Sequence, residues 1–312
     1  MARKAKSSDE GPKKKSLYTI KLTDEQMEKL DALLQARGWF DHEVDHSRFA
    51  FKWDKVNVVG YKSGKLVVQG KKTEDFVQDI LEAEITYEPL MGYEEFHNPD
   101  WFEPHAGLDE SGKGDFFGPL IACTVIADES AVRTWMDAGI KDSKRVTSDR
   151  AIKMMARTIR ETKGVVIKYA WAGMPKYNEL YVKFGKNLNK LLAWFHARAL
   201  TEALEQKHVP WGLLDQFSKQ PLVQRQVKVK GFDLRMRTKA EEDPVVAAAS
   251  IMARAEYVRQ LEKLSKEAGL TLPKGASEAV KDAAREIISS HGPAALSRFA
   301  KTHFKTAGQV LG

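Results

Sequence analysis

Cysteine is nearly absent from this chain of 312 residues. One thiol, Cys123, excludes an internal disulfide framework and any cysteine-based zinc site. It lies in the apolar run LIACTVIA, where a small buried side chain is the expected role, and a reducing, cytoplasmic setting fits. No apolar run approaches the roughly 18 residues a membrane span needs. The opening residues MARKAKSSDEGPKKKS lack an apolar core, which excludes a secretory signal; residues 1–16 read as a disordered basic tail. No internal repeat is present. Acid is scarce between Phe217 and Ala240, where Lys219, Arg225, Lys228, Lys230, Arg235, Arg237 and Lys239 stand against Asp233 alone. With a net charge of +7, that imbalance favours a polyanionic partner.

What is present divides the chain in two. The 43% hydrophobic share supports sizeable cores, and the length suggests two domains. Residues 17–84 read as a small α/β unit. LYTIKL alternates as a strand, and Thr23 with Gln26 forms a capping box ahead of Met27, Leu30, Leu33 and Leu34 on one helical face. HSRFAFKW, KVNVVGY and KLVVQG read as three further strands, and Thr73 opens a second helix. The order β-α-β-β-β-α predicts a curved antiparallel sheet with helices on one face. Its open face would carry Arg48, Lys52, Tyr61, Lys62, Lys65 and Lys71. Residues 85–104, rich in proline and without periodicity, read as a linker.

A second domain, 105–312, reads as a mixed sheet flanked by helices. GLDESG and PLIACTVIA are strands joined by a glycine loop. Helices are expected near 129–138 and 147–163, over LNKLLAWFHARALTEALEQKH, and from Pro244 onward. VVIKYAWA, WGLLDQF and VQRQVKVKGF read as strands, the last with alternating basic and apolar residues.

The loop AGLDESGKGDFFGP raises two chemistries. Gly107 to Lys113 fits seven positions of a phosphate-binding loop, but Gly114 stands where that motif needs a hydroxyl. Asp109 and Glu110 would also repel a polyphosphate cradled there. Carboxylates alone suit Mg2+ or Mn2+, hard ions that take oxygen ligands. Asp215, inside the apolar strand WGLLDQF, needs a partner or a metal, unless it caps a turn. Glu241, Glu242 and Asp243 precede a long helix, where acids also complement the helix dipole. Two carboxylates at about 4 Å repel by about 1 kcal/mol in water and about 4 kcal/mol at an effective dielectric of 20, a penalty that divalent cations remove. Paired metal ions are the usual means of phosphodiester cleavage.

DESGKGDFFGP resembles the opening motif of the type 2 ribonucleases H, in the ribonuclease HIII form. KDSK (141–144), WGLLDQF, TKAEEDPVVAAASIMAR (238–254), LPKGAS (272–277) and AKTHFK (300–305) are similar to further blocks of that family. The VNVVGYKSGKLVVQG hairpin resembles the family's TBP-like substrate-binding domain. The resemblance implies an α/β fold with a ribonuclease H-like mixed sheet, preceded by a small TBP-like domain. It implies an endoribonuclease cutting the RNA strand of RNA/DNA hybrids by two-metal hydrolysis, with 5′-phosphate and 3′-hydroxyl products. Asp109, Glu110, Asp215 and Glu241 would be the catalytic and metal-holding acids, with Asp109 between two Mg2+ or Mn2+ ions. For the fourth acid, the AAAS block aligns at Ala240 or Glu241, and Glu242 and Asp243 stay open. Gly112, Lys113 and Gly114 would meet the RNA backbone and ribose, and Ser143 and Lys144 the phosphates. Tyr61, Lys62 and Lys65 would bind substrate on the first domain. A monomer without protein partner or membrane contact is expected. The alternatives are nicking at a single ribonucleotide in DNA, as ribonuclease HII-like enzymes do, and nucleic-acid binding without catalysis.

Overall fold

The computed structural model describes residues 16–91, 94–140, 146 and 148–312, so Ser143 and Lys144 lie outside the described residues. The chain forms two compact units that divide between Pro99 and Asp100. The first contains β1 (Leu17–Lys21), α1 (Asp24–Ala36), β2 (Phe40–Asp41), β3 (Ser47–Trp53), β4 (Val56–Tyr61), β5 (Lys65–Gly70) and α2 (Thr73–Phe76), which runs on as a π-helix, Val77–Thr86. All strand pairs are antiparallel, in the order β1-β5-β4-β3-β2. The Thr23 hydroxyl accepts the Gln26 N–H at 3.2 Å, and the Gln26 side chain accepts the Thr23 N–H at 3.0 Å, which starts α1 as the capping box predicts.

Alternation decides the two faces of this sheet. Phe49, Phe51, Val58, Leu66 and Val68 pack under Leu30, Leu34 and Leu81 of the helices. Asn57, Val59 and Tyr61, with Lys65, Val67 and Gln69, point to the other face, where Lys52 pairs with Asn57 and Lys21 with Lys65. Lys62 and Lys71 are exposed in turns rather than on strands. Trp53 leaves the core and stacks on Phe40 at 5.8 Å. The two-residue strand β2 is an addition to the expected order. The segment read as an unstructured linker contains a turn of helix, α3 (Glu94–His97), and a 3-10 turn, Pro99–Phe102.

The second unit contains β6 (His105–Ser111), β7 (Ile121–Ala127), α4 (Glu129–Asp137), α5 (Asp149–Glu161), β8 (Val166–Ala170), α6 (Met174–Lys183), α7 (Leu188–Gln206), β9 (Trp211–Asp215), β10 (Asp233–Arg237), α8 (Pro244–Ala268), α9 (Glu278–His291) and α10 (Lys305–Leu311). The sheet order is β10-β9-β6-β7-β8, with β6, β9 and β10 parallel and the other pairs antiparallel. The long helices cover opposite faces. Cys123 and Val125 of β7 pack with α8, whereas Ala122 and Ile126 pack with α7. A Cβ on Gly107 would stand 2.3 Å from the Val245 carbonyl carbon, so only glycine lets β6 lie against the start of α8.

VQRQVKVKGF is not a strand. Pro221 opens a series of turns in which the Val227 N–H reaches the Val223 carbonyl at 3.1 Å. Val223 and Val227 are four residues apart, the spacing of a helical turn, and both pack into the core, which outweighs the period-two pattern. The strand follows at Asp233–Arg237, after Gly231 with φ +77°. No helix among the described residues is long and apolar enough to cross a membrane.

Candidate active site

The acids converge because two parallel strands end together. Leu108 of β6 pairs with Leu214 of β9, so Asp109 and Asp215 are the next residues along neighbouring strands, which lie about 4.8 Å apart. Asp109 and Glu110 leave β6 on opposite faces. Asp109 pairs across from Cys123 on the α8 face, within hydrogen-bonding reach of Ser250. Glu110 pairs across from Ala122 on the α7 face.

Like charges crowded at a strand end separate in protonation behaviour. Burial, followed by the charges of Glu110 and Asp215, pushes Asp109 up to about 7, although Ser250 and the Glu110 N–H oppose the rise. Burial raises Glu110 too, but His196 and Lys113 outweigh it and hold the carboxyl below its ordinary range. His196 Nε2–H donates to Glu110 Oε2 at 3.1 Å, and Lys113 Nζ lies 3.4 Å from Oε1. Phe217 stands between these two side chains, stacked on the His196 ring at 5.6 Å and under Lys113 Nζ at 5.3 Å.

Asp215 Oδ1 accepts the Ala240 N–H at 3.2 Å, tying β9 to the 3-10 turn Ala240–Glu242. Glu241 therefore follows directly on the residue that Asp215 anchors. The neighbouring acids are placed otherwise. Glu242 is exposed, and Asp243 is buried, with Oδ1 capping α8 through the Val245 and Val246 N–H groups. The same oxygen meets His105 Nε2 at 3.2 Å, and Trp211 stacks on that imidazole at 4.2 Å. Asp243 Oδ1 is thus engaged as a cap, and Glu241 stands between Ala240 and the exposed Glu242 in the turn.

Among the described residues no three carboxylate, imidazole or thiol groups stand together as a ready metal cage. Each of the three strand-end acids has turned to a donor of its own: Glu110 to His196, Asp215 to Ala240, and Asp109 to the Glu110 N–H at 2.7 Å. The donor set nonetheless fits a hard divalent cation. It consists of carboxylate oxygens on rigid strand ends, where negative charge is already crowded enough to raise Asp109.

The glycine loop borders these acids. Gly112 has φ +85°, and a Cβ there would come 2.3 Å from the Pro119 carbonyl oxygen, so the fold itself requires glycine. Gly114 differs. Its φ is ordinary, it is exposed, and a Cβ would meet nothing within 4 Å. Nothing in the fold demands glycine at 114, which leaves room for an external group. Tyr61 and Lys65 belong to the other unit, on the helix-free face of its sheet, with Lys62 in the adjoining turn.

His196 is the residue that sequence reasoning passed over. Its signal was present: helical spacing puts it on a face with Leu192, Ala199 and Leu200, and a buried imidazole there needs a partner.

The family model for Ribonuclease HII matches residues 106–307, and that of a Domain of unknown function (DUF3378) matches residues 18–88. The chain is 38% identical over 287 residues to Ribonuclease HIII of Protochlamydia amoebophila, covering 91% of this chain and 93% of that protein. It is 39% identical over 284 residues to Ribonuclease HIII of Chlamydia caviae, covering 89% and 91%. Among solved structures it is similar to Bst-RNase HIII in complex with Mn2+, with a TM-score of 0.65, 29% identity, and coverage of 95% of this chain and 98% of that one. Matched to such relatives along nearly their whole length, the chain belongs to the ribonuclease HIII family and is a ribonuclease H, an endoribonuclease.

Proposed function

We propose that the protein cleaves the RNA strand of an RNA/DNA hybrid with two Mg2+ or Mn2+ ions held by Asp109, Glu110, Asp215 and Glu241, leaving 5′-phosphate and 3′-hydroxyl ends. The observation that carries this reading is the meeting of Asp109 and Asp215 at the ends of parallel strands beside a glycine loop with open space at Gly114. When bound, such ions polarise the attacking water and take up charge on the leaving oxygen. The chain's own groups do the rest. Gly112 and Gly114 let the backbone approach a ribose, whose 2′-hydroxyl distinguishes RNA from DNA. Lys113 sits where it can trade its contact with Glu110 for a phosphate. His196 orients Glu110 from below. Ser143 and Lys144 contact substrate phosphates. The helix-free face of the first unit, with Tyr61, Lys62 and Lys65, adds salt-sensitive affinity that does not depend on base sequence. The protein acts as a monomer in a reducing, cytoplasmic setting.

The test is Asp109→Asn. The variant is expected to bind end-labelled hybrid as the parent does and to leave it uncut in Mg2+ or Mn2+. Normal cutting by the variant would remove Asp109 from the reaction.

A further inference from the structure

The blocks LPKGAS and AKTHFK lie far along the chain from the acids, and nothing above gives them a task. They meet at the base of the glycine loop. The Lys301 side chain is fully buried, with Nζ donating to the Asp115 carbonyl at 2.7 Å and to the Gly118 carbonyl. Its own N–H donates to the Phe116 carbonyl at 2.9 Å, and the Gly118 N–H donates to Phe299 at 3.0 Å. From the other block, the Gly275 carbonyl accepts the Phe116 N–H at 2.9 Å, while the Gly275 N–H donates to the Asp115 carboxylate at 2.6 Å.

We propose that Lys301 is a positioning residue for ribose recognition: it clamps residues 115–118 from below so that the Gly112–Gly114 backbone is held at the height of the RNA sugar. This rests on the hybrid-cleaving reading above. A buried ammonium is costly, and an apolar side chain would fill the space without that cost. Burial pushes the Lys301 amine down to about 7, against the pull of Asp115, which is a measure of that cost. What an apolar residue could not do is donate to the Asp115 and Gly118 carbonyls, which the Phe117–Ala300 bridge does not reach. Residues 115–118 are thus fixed from below, whereas Gly114 just before them is exposed. The clamp acts on the loop and touches neither the acids nor any metal they hold.

The test compares the full-length parent with Lys301→Met and Lys301→Gln. Affinity for RNA/DNA hybrid and for DNA/DNA duplex of the same sequence is measured by fluorescence anisotropy without divalent metal, and amide hydrogen exchange is followed across residues 112–118. Lys301→Met is expected to lower the hybrid-to-duplex affinity ratio by about tenfold, the scale of one or two lost hydrogen bonds. Duplex affinity should stay unchanged, and exchange should rise in the loop alone. Lys301→Gln, which retains a donor, should fall between. An unchanged ratio, or equal losses for both nucleic acids, overturns the proposal. Should both variants fail to fold, the parent still tests whether the loop is fixed at all: amides of Phe116 and Gly118, bonded to Gly275 and Phe299, exchanging as fast as free peptide would refute a clamp. A parent with no preference for hybrid would instead sink the substrate reading, while the exchange data would still report on the clamp.

Discussion

Replacing Asp109 by Asn should stabilise the protein in chelator, and the gain should depend on pH in a defined direction. Asp109 is held at about 7 in the folded chain against an ordinary 3.8. Between these limits the folded state keeps a proton that the unfolded chain has lost. Stability contributed by this group therefore falls as pH rises from about 4 to about 7, and the full cost persists above. One pKa unit is worth about 1.4 kcal/mol, so the ceiling is roughly 4 kcal/mol. Asp109 retains some solvent access at the rim of the site, and screening reduces the figure to about 2 kcal/mol. Asn preserves the Oδ1 that accepts the Glu110 N–H, so shape and hydrogen bond survive while the charge goes. Urea unfolding of both proteins in EDTA, from pH 4.5 to 8.5, gives the comparison. The expected gap is small at the acid end, opens through pH 6, and levels off above pH 7. Saturating Mn2+ should reverse the order, since an ion at a hundred times its dissociation constant adds about 2.7 kcal/mol to the parent. A gap independent of pH, or a variant less stable than the parent in EDTA at pH 8, would refute the charge-crowding argument.

Three further outcomes follow from the same geometry. Gly114→Ala should fold with the parent's melting temperature yet lose most hybrid cleavage, because its Cβ meets no protein atom and intrudes only on substrate; Gly112→Ala should lower the melting temperature as well. His196→Leu should cut cleavage by about 10- to 100-fold, the usual effect of removing a partner that orients a metal-binding carboxylate, with circular dichroism unchanged. Lys52→Glu with Lys65→Glu should weaken hybrid binding and flatten its salt dependence by about two phosphate contacts, measured as the slope of log affinity against log salt; an unaltered slope would take the helix-free face out of the substrate path.

Local sequence carried the site further than it carried the supports. The pair Asp109-Glu110 at a strand end, and Asp215 closing the strand WGLLDQF, were legible because a short apolar run ending in acid marks each strand. The start of α8 was legible from Pro244, and Asp243 caps it. VQRQVKVKGF misled because its basic and apolar residues alternate over a stretch that packs as turns. Helix α6 was missed between two stronger patterns. The partners of His105, His196 and Lys301 lie 138, 86 and 186 residues away, and no local periodicity reports contacts of that span. The engagement of Asp243 Oδ1 with His105 and the α8 N–H groups likewise needed the fold, since its histidine partner is remote in sequence.

Cleavage of end-labelled RNA/DNA hybrid beside RNA/RNA and DNA/DNA duplexes, each in Mg2+, Mn2+ or EDTA, separates a hybrid-cutting enzyme from a binding protein. Metal-dependent hydrolysis by these acids should cut the RNA strand in the hybrid alone, fail in Asp109→Asn, and leave 3′-hydroxyl ends that a polymerase can extend. Hybrid that binds but stays intact in both metals, or is cut equally well in EDTA, would contradict it.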